Sequence, residues 1–157
     1  MKENRVENSR IHRRIGDPAL RLGCDGMEFG PISIEGGIHT FVMPPRTTDV
    51  RIKSRSDLVA STHGKRASRF GIALGRIIAR SARMIREVPL DHPMLGSGFH
   101  PCEGDGIRQW RWSNGAGCVP VPLLMMDGHM PSLVEFHIHE KLPSYDVASS
   151  KSNLNKS

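Results

Sequence analysis

The sequence of 157 residues has few aromatic residues, few cysteines and no long apolar run. Its three cysteines are odd in number and lack C-x-x-C spacing, which argues against a disulfide framework and a zinc site. A single disulfide between Cys102 and Cys118 is the alternative if the protein meets an oxidising compartment. No apolar stretch approaches the roughly 18 residues of a membrane span. The first 16 residues lack the apolar segment of a secretion signal, so a cytoplasmic location is the default expectation.

Catalytic and nucleic-acid signatures are also missing from the sequence. It contains no nucleophile elbow, Walker, zinc-protease or dinucleotide-binding pattern, which favours a protein without enzymatic activity. Residues 46–86 contain eleven Lys and Arg against two Asp. Solvent-facing strand positions explain this charge, and no nucleic-acid motif accompanies it, so nucleic acid is not an expected partner. No cofactor is indicated.

Glycine and proline are abundant, with 16 and 11 residues. Neither suits helix interiors, so the composition favours short strands joined by turns. Residues 132–139 form the clearest strand, because Val134, Phe136 and Ile138 alternate with polar residues. The pattern predicts an all-β fold, an antiparallel β-sandwich or jelly-roll-like double sheet, as a single domain over residues 17–145. Residues 1–16 are expected to form a disordered basic arm and residues 146–157 a disordered tail.

Local signals predict the connections between these strands. Asp25-Gly26 and Asn114-Gly115 each predict a β-hairpin turn. Residues 57–68 are polar and predict a long loop, whereas residues 69–80 predict a strand with a break near Gly75. Two prolines in the segment 119–125 predict an edge strand.

Several separated blocks resemble the region that follows the Hint (hedgehog/intein) domain in some alphaproteobacterial proteins. The resemblance spans about residues 16–140, and its blocks are Gly16–Arg21 with Asp25-Gly26, Asp49–Ser56, Arg69–Leu74, Gly98–Glu103 and Trp110–Gly115. Similar segments accompany glycan-related proteins. The Hint domain itself is missing, because neither its nucleophile nor its activating histidine is present.

The resemblance implies an accessory module and carries no assigned activity. Phe99 stands where the pattern has Trp, and Ser113 and Asn114 stand where it has Thr and Asp. Gly117 and Cys118 stand where an apolar strand is usual. Any role that depends on those family residues is in doubt here.

Trp110 and Trp112 are the first candidate binding residues. Residues i and i+2 of a strand share a face, so the two indoles would form an aromatic surface able to stack on sugar rings, with Arg111 facing the other way. The competing interpretation, which is favoured, places both in the sandwich core.

His137 and His139, with Glu135, share one face of the last strand and are candidate metal ligands. His100, Cys102 or Glu103 would complete such a site. The competing interpretation leaves the histidines solvated.

His100 and Glu103 lie in the best-matched block, where pinning of a loop is the favoured role. Arg55 belongs to a basic strand that is able to hold an anion, although plain solvation is the default. The sequence therefore predicts a non-catalytic module that binds a glycan or a protein. The alternatives are a metal-dependent, cupin-like enzyme and a purely structural relic.

Overall fold

The computed structural model describes residues 17–60, 67–124 and 128–139. The predicted terminal arm and tail lie outside these residues. The described chain contains short strands and one helical turn, α1 (Val121–Leu124). In chain order the strands are β1 (Arg21–Cys24), β2 (Met27–Phe29), β3 (Ser33–Glu35), β4 (Ile38–Met43), β5 (Val50–Lys53), β6 (Asp57–Val59), β7 (Ser68–Phe70), β8 (Ala73–Arg80), β9 (Ile85–Val88), β10 (Glu103–Gly104), β11 (Gln109–Trp112), β12 (Ala116–Cys118) and β13 (Ser132–Ile138).

Two antiparallel sheets make up most of the molecule. The smaller sheet has the order β12-β5-β1-β2, and the larger has the order β10-β11-β8-β13-β4-β3, with β9 also paired to β8. Strands β6 and β7 form a separate two-stranded pair. The prediction of an all-β antiparallel double sheet is confirmed. No helix of the described residues is long and apolar enough to cross a membrane.

The core lies between the two sheets. Strand β13 illustrates this arrangement, since Val134 and Phe136 are fully buried while Glu135 between them is half-buried. Phe41 of β4 meets Phe136 edge-to-face with ring centroids 5.8 Å apart. Alternation along each strand therefore directs one set of side chains inward. The inward set from both sheets includes Leu22, Cys24, Phe41, Met43, Val50, Ile52, Leu74, Ile77, Val134 and Phe136.

The two predicted hairpin turns have different outcomes. Asp25 and Gly26 both have positive φ, 51° and 86°, and they join β1 to its antiparallel partner β2 as predicted. The prediction for Asn114-Gly115 is wrong. Only Gly115 has a positive φ there, and the segment carries the chain from β11 in the larger sheet to β12 in the smaller sheet.

The edge strand predicted over residues 119–125 is also wrong over residues 119–124, the part of it that the structure describes. A helical turn replaces it, and the Leu123 N–H donates to the Pro120 carbonyl at 3.0 Å. Pro122 fits this turn because the first N–H groups of a helix have no intrahelical partner to lose.

The middle of the chain departs from prediction in two places. Strand β6 occupies the start of the loop predicted over residues 57–68, and residues 61–66 lie outside the described chain. The strand predicted over residues 69–80 is present, but its interruption falls at Gly71 and Ile72. Gly75 instead lies in a β-bulge, where His137 pairs with Arg76 and Ile138 pairs with Leu74.

Strand β8 has two partners along its other edge. Its start pairs with β11, where Trp112 faces Ala73 and Arg111 faces Leu74. Its later part pairs with β9 from Ile77 onward. Pro89 follows β9 directly, and a proline cannot donate a ladder hydrogen bond. The sheet therefore splits at Gly75 and Arg76, and the split opens a cleft.

Candidate functional site

The best-matched sequence block forms a junction between the two sheets. Ser113 is fully buried, and its Oγ accepts the backbone N–H groups of Ile72, at 3.2 Å, and Gly115, at 3.3 Å. The Gly71 N–H donates to the Ser113 carbonyl at 2.7 Å. Asn114 Oδ1 accepts the Ala116 N–H, which turns the chain toward the smaller sheet. These contacts define the crossover junction, residues 71–72 and 113–116.

Close packing completes this arrangement on the side of residues 98–99. A Cβ on Gly98 would lie 2.5 Å from the Ala116 carbonyl oxygen, and one on Gly117 would lie 2.6 Å from the Phe99 ring. Gly98 also has a positive φ of 79°. Phe99 and Ser113 form an isolated antiparallel bridge. The spacing of the glycines and Phe99 in this block therefore has a structural explanation in backbone packing.

His100 is held in this structural neighbourhood. Its ring stacks on Phe70 with centroids 4.1 Å apart, and its Nε2 lies 2.7 Å from the Arg69 carbonyl oxygen. The predicted role in pinning a loop agrees with this geometry. Glu103 is exposed on β10 opposite Trp110 and takes no part in the stack.

The remaining candidates near this block do not form a reactive group. Burial, with the charge of Asp91 as a lesser cause, raises the pKa of the Cys102 thiol, which disfavours a thiolate nucleophile. All three cysteines are free, so Cys102 and Cys118 are not bridged. Arg55 is exposed after β5 in the smaller sheet, where its backbone N–H donates to the Pro18 carbonyl.

The two tryptophans share a strand face but not an environment. Trp112 is buried against Phe70, with ring centroids 5.9 Å apart, whereas Trp110 is half-buried. Because Arg111 lies opposite the core residue Leu74, the tryptophans lie on the sheet face directed away from the core. Trp112 is thus buried outside the main core, and the pair forms no open aromatic platform.

The candidate metal ligands lie on that same outer face, where Glu135 and His137 of β13 form an ion-pair network with Arg80 and His139 follows the strand. Glu135 accepts a hydrogen bond from Arg80, and its Oε1 lies 3.3 Å from His137 Nε2. Burial opposes ionisation of Glu135, but the hydrogen bonds from Arg80 and His137 outweigh it, so the pKa of Glu135 is lowered. His137 and His139 are half-buried rather than solvated. Within the described residues, no group of three or more His, Cys, Asp or Glu side chains is arranged to hold a metal ion.

A cleft of about 1220 Å³ opens where strand β8 splits. We call it the split-strand cleft. Its floor is the unpaired stretch of β8, one wall is the end of β9, and the other is the hairpin formed by β10 and β11. Its lining comprises Gly36, Gly75, Arg76, Glu87, Val88, Pro89, Leu90, Gly104, Gly106, Ile107, Arg108, Gln109, His137, Ile138 and His139.

The charged groups of the split-strand cleft differ in how they are paired. Arg76 and Glu87 form a two-point ion pair, with distances of 2.8 and 3.0 Å. The hydrogen bond from Arg76 lowers the pKa of Glu87. A glycosidase acid requires a raised pKa, so Glu87 is unsuited to that role. Arg108 forms no salt bridge with a carboxylate in the described part of the chain.

His139 is the unusual polar group of this cleft. Both ring nitrogens are shielded from solvent, and neither has a hydrogen-bond partner. Its ring meets Trp110 edge-to-face at 5.2 Å between centroids. Buried polar atoms without partners cost about 1–3 kcal/mol each. Because both nitrogens are shielded from solvent, a ligand in the open cleft does not contact them in this structure.

Sequence reasoning identified His137 and His139 but missed Arg76, Glu87 and Arg108. The split of β8 brings these three residues to one cleft, although they belong to separate strands and loops. The Pro89 that ends β9 and the turn Gly104-Asp105-Gly106 were visible signals of the two walls. Neither signal shows that both walls pair with the same strand.

Comparison with protein-family models finds no match, and comparisons with curated proteins and with solved structures find none either. The resemblance to the Hint-associated region therefore stays a prediction. The candidate site rests on the geometry of the cleft alone.

Proposed function

We propose that this protein is a non-catalytic accessory module that binds a glycan in the split-strand cleft. The observation that carries the proposal is the cleft itself, an open concavity with two arginines, a glutamine and two histidines among its lining residues. Sugar hydroxyl groups both donate and accept hydrogen bonds, so they suit a mixed lining of this kind.

The polar groups available in the cleft support this class of ligand. Gln109 is exposed and offers both a donor and an acceptor. His137 and His139 also line the cleft, and both are half-buried. The half-buried Trp110 packs edge-to-face against His139 and supports that wall from behind, although it does not itself line the cleft.

The chemistry of the cleft also favours binding over catalysis. Hydrolysis of a glycosidic bond ordinarily needs a protonated acid and a second carboxylate. Glu87 is the only carboxylate among the lining residues that the structure describes, and Arg76 stabilises its ionised form. The accessory role is part of the proposal and follows the resemblance to the region that accompanies the Hint domain.

A bulky side chain at Gly75 tests the proposed site. Gly75 lines the cleft, and a Cβ there lies 3.6 Å from its nearest neighbour, so we expect the ring of Gly75→Phe to extend into the cleft. The full-length protein is applied to a glycan microarray, and the hits are measured by isothermal titration calorimetry. Wild type should bind, whereas Gly75→Phe should lose most of its affinity and keep its thermal unfolding transition.

Gly30→Phe is the matched control, because a Cβ at Gly30 meets nothing within 4 Å and Gly30 does not line the cleft. It should bind as wild type does. Equal binding by both phenylalanine variants would place the ligand elsewhere. A wild-type protein that binds no glycan on the array would refute the function itself.

A further inference from the structure

We infer that the glycan bound by this protein is acidic, and that Arg108 receives its anionic group. This inference rests on the proposed function and names the class of ligand that binds in the same cleft. The shared ligand chemistry is an anionic oxygen group on a sugar, either a carboxylate or a sulfate ester.

The charged side chains that line the cleft leave one positive charge without an ion-pair partner. Among its described lining residues, Arg76 and Arg108 are cationic and Glu87 is anionic. Glu87 is occupied by Arg76 through two hydrogen bonds, so these two charges cancel locally. The positive charge that remains belongs to Arg108, which forms no salt bridge in the described chain, although the nearby Asp105 carboxylate interacts with it electrostatically.

Hydrogen bonds within a turn fix the backbone of Arg108. The Asp105 Oδ1 accepts the N–H groups of Ile107, at 2.9 Å, and Arg108, at 2.7 Å. The Asp105 N–H in turn donates to the Arg108 carbonyl at 3.1 Å, which closes the turn. Gly106, with a φ of 87°, supplies the left-handed conformation that the turn requires.

This turn fixes the backbone of Arg108, which lines the cleft, and no carboxylate of the described residues forms a salt bridge with its guanidinium. The Asp105 carboxylate is committed to the backbone, and its pKa is lowered first by those backbone hydrogen bonds. A guanidinium presents paired N–H donors that match two oxygens of a carboxylate or sulfate. An arginine that lines the cleft, with a fixed backbone and without a salt bridge, thus favours an anion over a neutral hydroxyl.

Matched glycans test the inference. The array contains uronate, sialylated and sulfated oligosaccharides beside neutral counterparts, and uronates are paired with their methyl esters, which keep the sugar and remove the charge. Acidic glycans should bind at least about tenfold more tightly than their neutral partners, the loss expected for one charge-assisted hydrogen-bonded pair. Comparison of the carboxylate and sulfate arms identifies the anionic group.

Arg108→Gln and Arg55→Gln separate recognition at the cleft from general electrostatic attraction. Both variants remove one exposed positive charge, but Arg55 lies on the smaller sheet away from the cleft. Arg108→Gln should abolish the preference for acidic glycans, and Arg108→Lys should keep part of it because the charge remains without the fork. Arg55→Gln should leave the preference intact, and thermal unfolding should be unchanged in all three variants.

The outcomes distinguish this inference from the function on which it rests. Equal binding of acidic and neutral glycans would overturn the inference and leave the glycan-binding function standing. A preference for acidic glycans that Arg108→Gln and Arg55→Gln reduce equally would remove Arg108 as its origin. If no glycan binds, both proposals fail.

Discussion

Replacing Gly71 by alanine is the sharpest test of the packing at the crossover junction. A Cβ at this position would lie 2.6 Å from the Gly115 backbone nitrogen, 2.6 Å from Ser113 Oγ and 2.8 Å from Ser54 Oγ. An ordinary contact needs about 3.5 Å, so a methyl group here is short of space by nearly 1 Å. The Gly115 nitrogen cannot move alone, because its chain crosses between the sheets at that point.

Two opposing effects determine the change in unfolding free energy of Gly71→Ala. Overpacking of this kind typically costs about 1–3 kcal/mol of unfolding free energy. Removing a glycine from the unfolded chain returns about 0.4–1 kcal/mol. Because a backbone atom is among the atoms that must move, we expect a net loss of about 2 kcal/mol. For a chain of this size that loss lowers Tm by roughly 4–8 °C.

Gly75→Ala is the matched control for this substitution. It has the same effect on the unfolded chain, but its Cβ meets no atom closer than 3.6 Å. It should therefore unfold at the same denaturant concentration as wild type or slightly above it. Urea unfolding followed by tryptophan fluorescence reports the difference, since Trp112 adjoins the junction. Coincident midpoints for the two alanine variants would refute the account of the junction.

Two further predictions concern buried polar groups. Ser113→Ala leaves the buried Ile72 N–H without its acceptor and should cost about 1–3 kcal/mol in urea unfolding. An unchanged unfolding midpoint would contradict this role for the hydroxyl. Burial lowers the pKa of His39, so the unfolded chain takes up a proton at higher pH than the folded chain does. Unfolding free energy should then fall as the pH drops below about 6.5, by at most about 1.4 kcal/mol per pH unit from this group. His39→Gln should flatten that part of the profile, and an unchanged slope would show that His39 does not cause it.

Part of the fold was predictable because it depends on local chemistry. Asp25-Gly26 has two residues that tolerate positive φ between apolar runs, and it forms the predicted hairpin. Alternation in β13 predicted the burial of Val134 and Phe136, since neighbouring strand residues point to opposite faces. The abundance of glycine and proline, which suit turns rather than helix interiors, predicted an all-β fold.

Other features depend on which strands meet, and sequence patterns do not specify this. Asn114-Gly115 resembles Asp25-Gly26 locally, yet its flanking strands pair with β8 and β5 in different sheets. The strand pattern placed Trp110 and Trp112 on a common face but left the direction of that face open. Only the pairing of Arg111 with Leu74 directs the tryptophans away from the core.

The candidate site is the feature that local sequence patterns predict least. The sequence by itself determined short strands, their alternating faces and the glycine turns, because φ preferences and side-chain alternation act over a few neighbouring residues. Tertiary structure decided that β9 and β11 share one edge of β8 and separate at Gly75 and Arg76. That separation brings Arg76, Glu87 and Arg108 to one cleft, since contacts between distant segments are selected by packing of the whole core.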